Sequence, residues 1–290
     1  MAAMANIPEL CAATVNKDAI QGMHRCAHEN IRMYHISAAF TDSLLGELLS
    51  ELEAQHLSAS TLVVVMGDHG FALGEHGSWA KWTNWEVATR TPFSIRTPWL
   101  PASAGKRIST PIELVDLFPT VAELASVPLP ARTASSSVPA GYEALGGRSL
   151  SGLLKHAVNS SQGAAFSQIA RCWPTGAPHN STAFHEMGQC DGVQSAEYAF
   201  MGYSMRVATA RFTEWVPTRW DAALARHMPL WSETIASELY DHSPGNDLEA
   251  LWSERTENIN LVQARPAEAA MLRRRLRAHF DATLTVAAAH

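Results

Sequence analysis

The densest group of residues able to do chemistry is Gly67-Asp68-His69-Gly70, followed by Gly74-Glu75-His76-Gly77 and then Lys81. Asp68 and His69 set a carboxylate beside an imidazole, and the glycines around them let the backbone turn tightly. A carboxylate suits a hard cation such as Ca2+ or Mg2+, and a neighbouring imidazole serves Zn2+ or Mn2+ as well. The same residues also read as a plain turn, with Asp68 capping the loop and His69 packed. Lys81 stands between Trp79 and Trp82. It either aims its ammonium at an anion from a half-buried position or snorkels over the indoles as a surface lysine. His76 reads as a loop histidine.

These residues need a scaffold, and the flanking patterns supply one. Residues 22–57 repeat apolar side chains at near-helical spacing, from Ile31 and Tyr34 through Leu44, Leu48 and Leu52. The run Thr61-Leu62-Val63-Val64-Val65-Met66 then predicts a strand buried on both faces, as in a parallel sheet. Helix, strand and glycine-rich turn make an α/β unit, with Asp68 and His69 at the carboxyl end of the strand, where such sheets bind ligands. Residues 92–96 predict a second strand. Thr110 as cap, Pro111 at the first helical position and Glu113 three residues after the cap predict a helix to about Ala125, which Pro119 should bend or interrupt.

Farther on, residues 127–147 read as a surface loop, Leu150 to His156 as a short helix and 157–164 as a linker. Residues 165–169, 200–208, 211–216 and 237–240 predict strands. A last helix over about 267–284 carries Met271, Leu272, Leu276 and Phe280 on one stripe, with Arg273, Arg274, Arg275 and Arg277 on a solvated face. Strands followed by a helix suggest a small antiparallel α+β subdomain. The expected division is therefore 1–160 for an α/β portion and 165–290 for the subdomain.

A 47% hydrophobic and 17% charged composition excludes a disordered chain. The net charge of −6 argues against a nucleic-acid partner. No apolar run is long enough to span a membrane, and Met1 to Pro8 shows no signal-peptide pattern. Sequons stand at Asn159 and Asn180. Cys172 and Cys190 flank a Pro-, Gly- and Ser-rich stretch and read either as a disulfide or as two thiols.

Val65 to Gly70, Leu73-Gly74-Glu75-His76-Gly77, Trp79-Ala80-Lys81 and Pro92-Phe93 together resemble the second half of the sulfatase pattern. Ile112 to Thr120 resembles a further segment of that family. Met201 to Arg206, Phe212 to Trp215, Glu238 to His242 and Asn258 to Leu261 resemble the iduronate subgroup. The resemblance covers most of residues 32–280. It implies an alkaline-phosphatase-like α/β fold, here incomplete at its N-terminal side, with a small C-terminal α+β antiparallel subdomain. It implies one Ca2+, with Asp68 and His69 matching two of its ligands, and Lys81 matching the lysine that holds the substrate sulfate. The partner it implies is a sulfated saccharide of the glycosaminoglycan class, and the setting is lysosomal or secreted.

The family nucleophile is a formylglycine made from the cysteine of a C-x-P-x-R motif. None of Cys11, Cys26, Cys172 and Cys190 begins such a motif, and the family's paired aspartates have no counterpart. The catalytic nucleophile is therefore absent from these residues. The expectation is a C-terminal portion that hydrolyses no sulfate ester by itself and holds Ca2+ weakly, read as an incomplete product or a truncated paralogue. Two rivals are a phosphoryl-transfer relative of the same superfamily and a non-catalytic binding protein. Trp79, Trp82 and Trp85 could stack on sugars or simply pack. Arg206 could meet a uronate carboxylate or sit in a salt bridge.

Overall fold

A computed structural model describes residues 19–128, 147–156, 163–172, 190, 193–222, 226–243 and 257–288. Most of the expected 127–147 loop, most of the 157–164 linker and both sequons lie outside them. Helix α1 covers Ala19–Ala54. It stops where His56 turns left-handed at φ 57. The Leu57 and His56 amides then donate to the Leu52 and Glu53 carbonyls, closing the last turn as a Schellman motif. Met33, Ile36, Phe40, Leu44 and Leu48 recur every three or four residues and are exposed along one side.

Strand β1 (Val63–Met66) pairs antiparallel with β4 (Phe93–Arg96), Val63 opposite Arg96 and Met66 opposite Phe93. The expectation of a strand buried on both faces in a parallel sheet is corrected. Among the described residues β4 is its partner, its valines are half-buried and Met66 is exposed. A short β-branched run reports strand propensity but carries no information on how many faces are covered. Between these strands lie β2 (Ala72–Leu73), β3 (Trp79–Ala80) and a one-turn helix, α2 (Glu86–Thr89).

The helix expected from Thr110 begins later. A 3-10 turn at Leu114–Asp116 leads into α3 (Leu117–Leu124). Buried Asp116 decides this start, because its carboxylate accepts from the Glu113 and Arg148 amides. Pro119 consequently falls in the first turn of α3, where no intrahelical donor is lost and no bend is needed. Helix α4 (Ser151–His156) follows.

Strands β5 (Ala164–Arg171), β6 (Phe200–Val207), β7 (Ala210–Asp221), β8 (Arg226–Pro229) and β9 (Ala236–Asp241) form an antiparallel sheet, with β8 and β9 both on β7. The sequence reading missed β8. Helix α5 (Pro266–Ala288) lies on the sheet with Leu272 and Leu276 buried against Tyr203, Met205, Phe212 and Leu239. Met271 does not join that stripe and is 45% exposed. The arginine run is only partly a solvated face, since Arg273 and Arg277 both bind the buried carboxylate of Glu214.

Side-chain alternation gives this sheet two unlike buried faces. Tyr203, Met205 and Phe212 point toward α5. Gly202, Ser204, Arg206, Arg211 and Thr213 point the other way, toward residues 82–89. The face turned to the chemistry-bearing loops is thus the polar one.

Candidate active site

The Asp68–His69 turn sits directly after β1. The Gly67 amide donates to the Pro92 carbonyl at 3.0 Å and the Gly70 amide to the Ala88 carbonyl at 2.8 Å. Glycine at 70 is obligatory for this approach, because a Cβ there would lie 2.2 Å from the Val87 oxygen and 2.6 Å from that of Arg90. The next residue, Phe71, stacks on Tyr34 of α1 at 5.3 Å between centroids.

Within the turn, Asp68 Oδ1 accepts from the His69 amide at 3.0 Å, and the Asp68 side chain is 82% exposed. His69 Nδ1 donates to the Gly70 carbonyl at 2.7 Å, which leaves Nε2 as the lone-pair nitrogen of the neutral ring. That Nε2 faces Asp68 Oδ2 at 3.3 Å. Two electron-pair donors turned toward each other suit a shared cation, and a backbone carbonyl on Nδ1 is how ligating histidines are oriented. The pair therefore fits as part of a cation site. A Ca2+ shell needs six to eight ligands, and among the described residues no third His, Cys, Asp or Glu atom gathers with these two.

Lys81 follows β3 on a strained approach. Gly74, His76 and Ala80 all have positive φ, at 118°, 55° and 66°. Left-handed backbone at non-glycine residues costs about 1–3 kcal/mol and persists where surrounding structure imposes it. Lys81 is exposed, with Nζ 5.8 Å from the Trp82 ring centroid. Trp82 is also exposed, while Trp85 packs on His76 at 4.3 Å.

A buried ionic cluster stands behind both groups. Arg211 of β7 donates through Nη2 to Glu86 Oε2 at 2.6 Å and to Thr89 Oγ1 at 2.9 Å, and through Nε to Glu257 Oε1 at 2.6 Å. His242 Nε2 lies 2.9 Å from the same Glu257 oxygen. Arg206 donates to Glu86 at 3.1 Å, so it is the strand arginine in a salt bridge and is not free for a uronate. Burial pushes the Glu86 carboxyl up, but Arg211, Arg206 and His242 more than offset this and hold it at about 2. Burial likewise opposes, and Arg211 and His242 override, in Glu257, whose pKa is lowered.

Glu86, His242 and Glu257 also bring three ligand atoms within 4.8 Å. The guanidinium of Arg211 already takes the cation's place among them, so this cluster is an ion-pair core and not an open metal site. The sequence reading missed it. Its local signals were charged residues, Arg206 and Arg211, inside otherwise strand-like runs.

The family model for Sulfatase matches residues 7–127, which include Asp68, His69 and Lys81. This stretch belongs to the sulfatase family. Beyond it, similarity to sulfatases continues. The chain is 32% identical to the iduronate 2-sulfatases of Mus musculus and Homo sapiens over 74% of its length, covering 43% and 44% of those proteins. It is 34% identical to arylsulfatase K of Homo sapiens over 35% of its length. The chain thus spans less than half the length of the iduronate 2-sulfatases it matches. Among solved structures, a protein bound to its substrate D-glucosamine-2-N,6-O-disulfate has a TM-score of 0.58 at 21% identity, covering 98% of this chain and 45% of that one. A phosphonate monoester hydrolase from Silicibacter pomeroyi has a TM-score of 0.52 at 24% identity, covering 82% and 38%. These likenesses establish the alkaline-phosphatase-like α/β fold.

Proposed function

We propose that these residues contribute to sulfate-ester hydrolysis on a sulfated saccharide of the glycosaminoglycan class, as in the iduronate 2-sulfatases they match. Asp68 and His69 hold part of a Ca2+ site and Lys81 binds the sulfate. The observation that carries the reading is the facing of Asp68 Oδ2 and His69 Nε2 at 3.3 Å with Nδ1 fixed on a carbonyl, on a turn hydrogen-bonded to the same short helix that follows Lys81. A bound Ca2+ would offset negative charge on the sulfate oxygens. The protein's own part is to place the ammonium of Lys81 against that anion and to orient the His69 ring.

The 290 residues hold no C-x-P-x-R sequence, so on this reading they turn over no sulfate ester unaided. A division into an α/β portion at 1–160 and a subdomain at 165–290 accompanies the proposal, supported by the five-stranded sheet, which begins at Ala164, and by α5, both of which belong to the second stretch. The Cys172–Cys190 disulfide supports an oxidising setting, lysosomal or secreted. No helix among the described residues is long and apolar enough to cross a membrane.

Calorimetric titration tests the reading. Ca2+ should bind weakly to the native chain and not to Asp68→Asn. A sulfated disaccharide should bind more weakly to Lys81→Gln than to the native chain. Equal binding by native and Lys81→Gln chains, or aryl-sulfate turnover dependent on Ca2+ by the chain alone, would overturn it.

A further inference from the structure

A four-residue helix is far too short to be stable by its own hydrogen bonds. Helix α2 nevertheless stands between the two chemistry-bearing groups, with Lys81 five residues before it and the Gly70 amide bonded to its Ala88 carbonyl. What holds it is the polar face of the antiparallel sheet. Arg211, 2% exposed, reaches Glu86 and Thr89 at the two ends of the helix at once. Glu257, 1% exposed, binds Arg211 and also accepts from the Glu86 amide at 2.6 Å. Just upstream, buried Asn84 donates to the Gly202 carbonyl at 2.8 Å and accepts from Ser167 Oγ at 3.0 Å, and Arg171 donates to the Trp82 carbonyl at 2.6 Å.

We infer that Arg211, with Glu86 and Glu257, is a positioning device that sets Lys81 and the Asp68–His69 pair relative to each other. This rests on the function proposed above for those three residues. An apolar plug would stabilise the fold at least as well as buried charges. Only a planar guanidinium with fixed donors can bind Glu86, Thr89 and Glu257 in set directions together. A lysine at 211 keeps the charge but lacks that reach.

The test uses the 290-residue chain with Arg211→Lys and Glu86→Gln. Thr89→Val serves as a milder variant that removes one Arg211 contact if the others fail to fold. Glu214→Gln is the control, removing a buried carboxylate held by Arg273 and Arg277 on the opposite face of the same strand. Amide hydrogen exchange at Gly70 and residues 82–90 should quicken by roughly ten- to a hundredfold in the Arg211 and Glu86 variants, and less in Thr89→Val. In Glu214→Gln these amides should keep their native rates although the melting temperature falls. Sulfate should protect Lys81 from acylation in the native chain and the control, and protect it less in the Arg211 and Glu86 variants.

Equal acceleration at those amides in the control, or none in the variants, overturns the positioning role. Loss of native exchange rates with undiminished sulfate protection overturns it as well. If sulfate protects Lys81 in no chain, including the native one, the proposed function fails, while the exchange rates still decide whether Arg211 fixes the helix.

Discussion

Replacing Arg211 by methionine keeps a long side chain but removes the guanidinium that touches Glu86, Thr89 and Glu257 together. Glu86 and Glu257 would stay buried, Glu86 keeping Arg206 and the more exposed Arg90, and Glu257 keeping His242 and the Glu86 amide. Breaking a buried ion pair from one side costs about 3–5 kcal/mol, because the surviving charge is left without compensation. The loss should depend on pH in a defined direction. In the native chain Glu86 is depressed from 4.5 to about 2, and Glu257 is also lowered. A depressed carboxylate contributes stability above its unfolded value, and that contribution is lost as pH falls toward the folded value. Without Arg211, burial acts with less opposition, the carboxyls titrate higher, and the variant recovers stability by protonating them. Urea unfolding followed by tryptophan fluorescence should therefore show the full deficit near pH 7 and a smaller one near pH 4. A deficit under about 1 kcal/mol near neutrality, or one that stays constant down to the acid side, would refute the reasoning.

Removing the Cys172–Cys190 bridge by serine substitution at both positions should cost about 3 kcal/mol for a separation of 18 residues, read from urea midpoints with reductant absent. Gly202→Ala should lower stability by about 1–3 kcal/mol, since its Cβ would come 2.6 Å from the Trp215 ring on the packed polar face; a thermal melt checks this. Leu276→Ala, at a fully buried site on the sheet-facing side of α5, should cost about 2–5 kcal/mol in the same melt.

Local pattern made much of this protein legible. The long first helix, the strands at 93–96, 164–171, 200–207 and 236–241, the short helix at 151–156 and the closing helix all follow from periodicity and turn chemistry, which depend on neighbours in the chain. The glycine-rich turn and the motif order likewise marked the sulfatase family before any geometry was known. Other features needed partners distant in sequence. Whether the Val63–Met66 strand is covered on both faces depends on what lies across it, and the run of valines is the same either way. The start of α3 was decided by Asp116 and Arg148, more than thirty residues apart. Arg206 read as either a uronate contact or a salt-bridged arginine, and Arg211 as an ordinary strand residue, until the register of β6 on β7 put both on one face against Glu86, over a hundred residues earlier. A charge buried in a strand has no local signature of its partner, because the free energy that tolerates it comes from a contact only tertiary folding creates. Residue types and spacing thus determined which atoms could face a cation and an anion. Tertiary structure decided what holds those atoms in place, since only packing can bring Glu86, Arg211 and Glu257 within hydrogen-bonding distance.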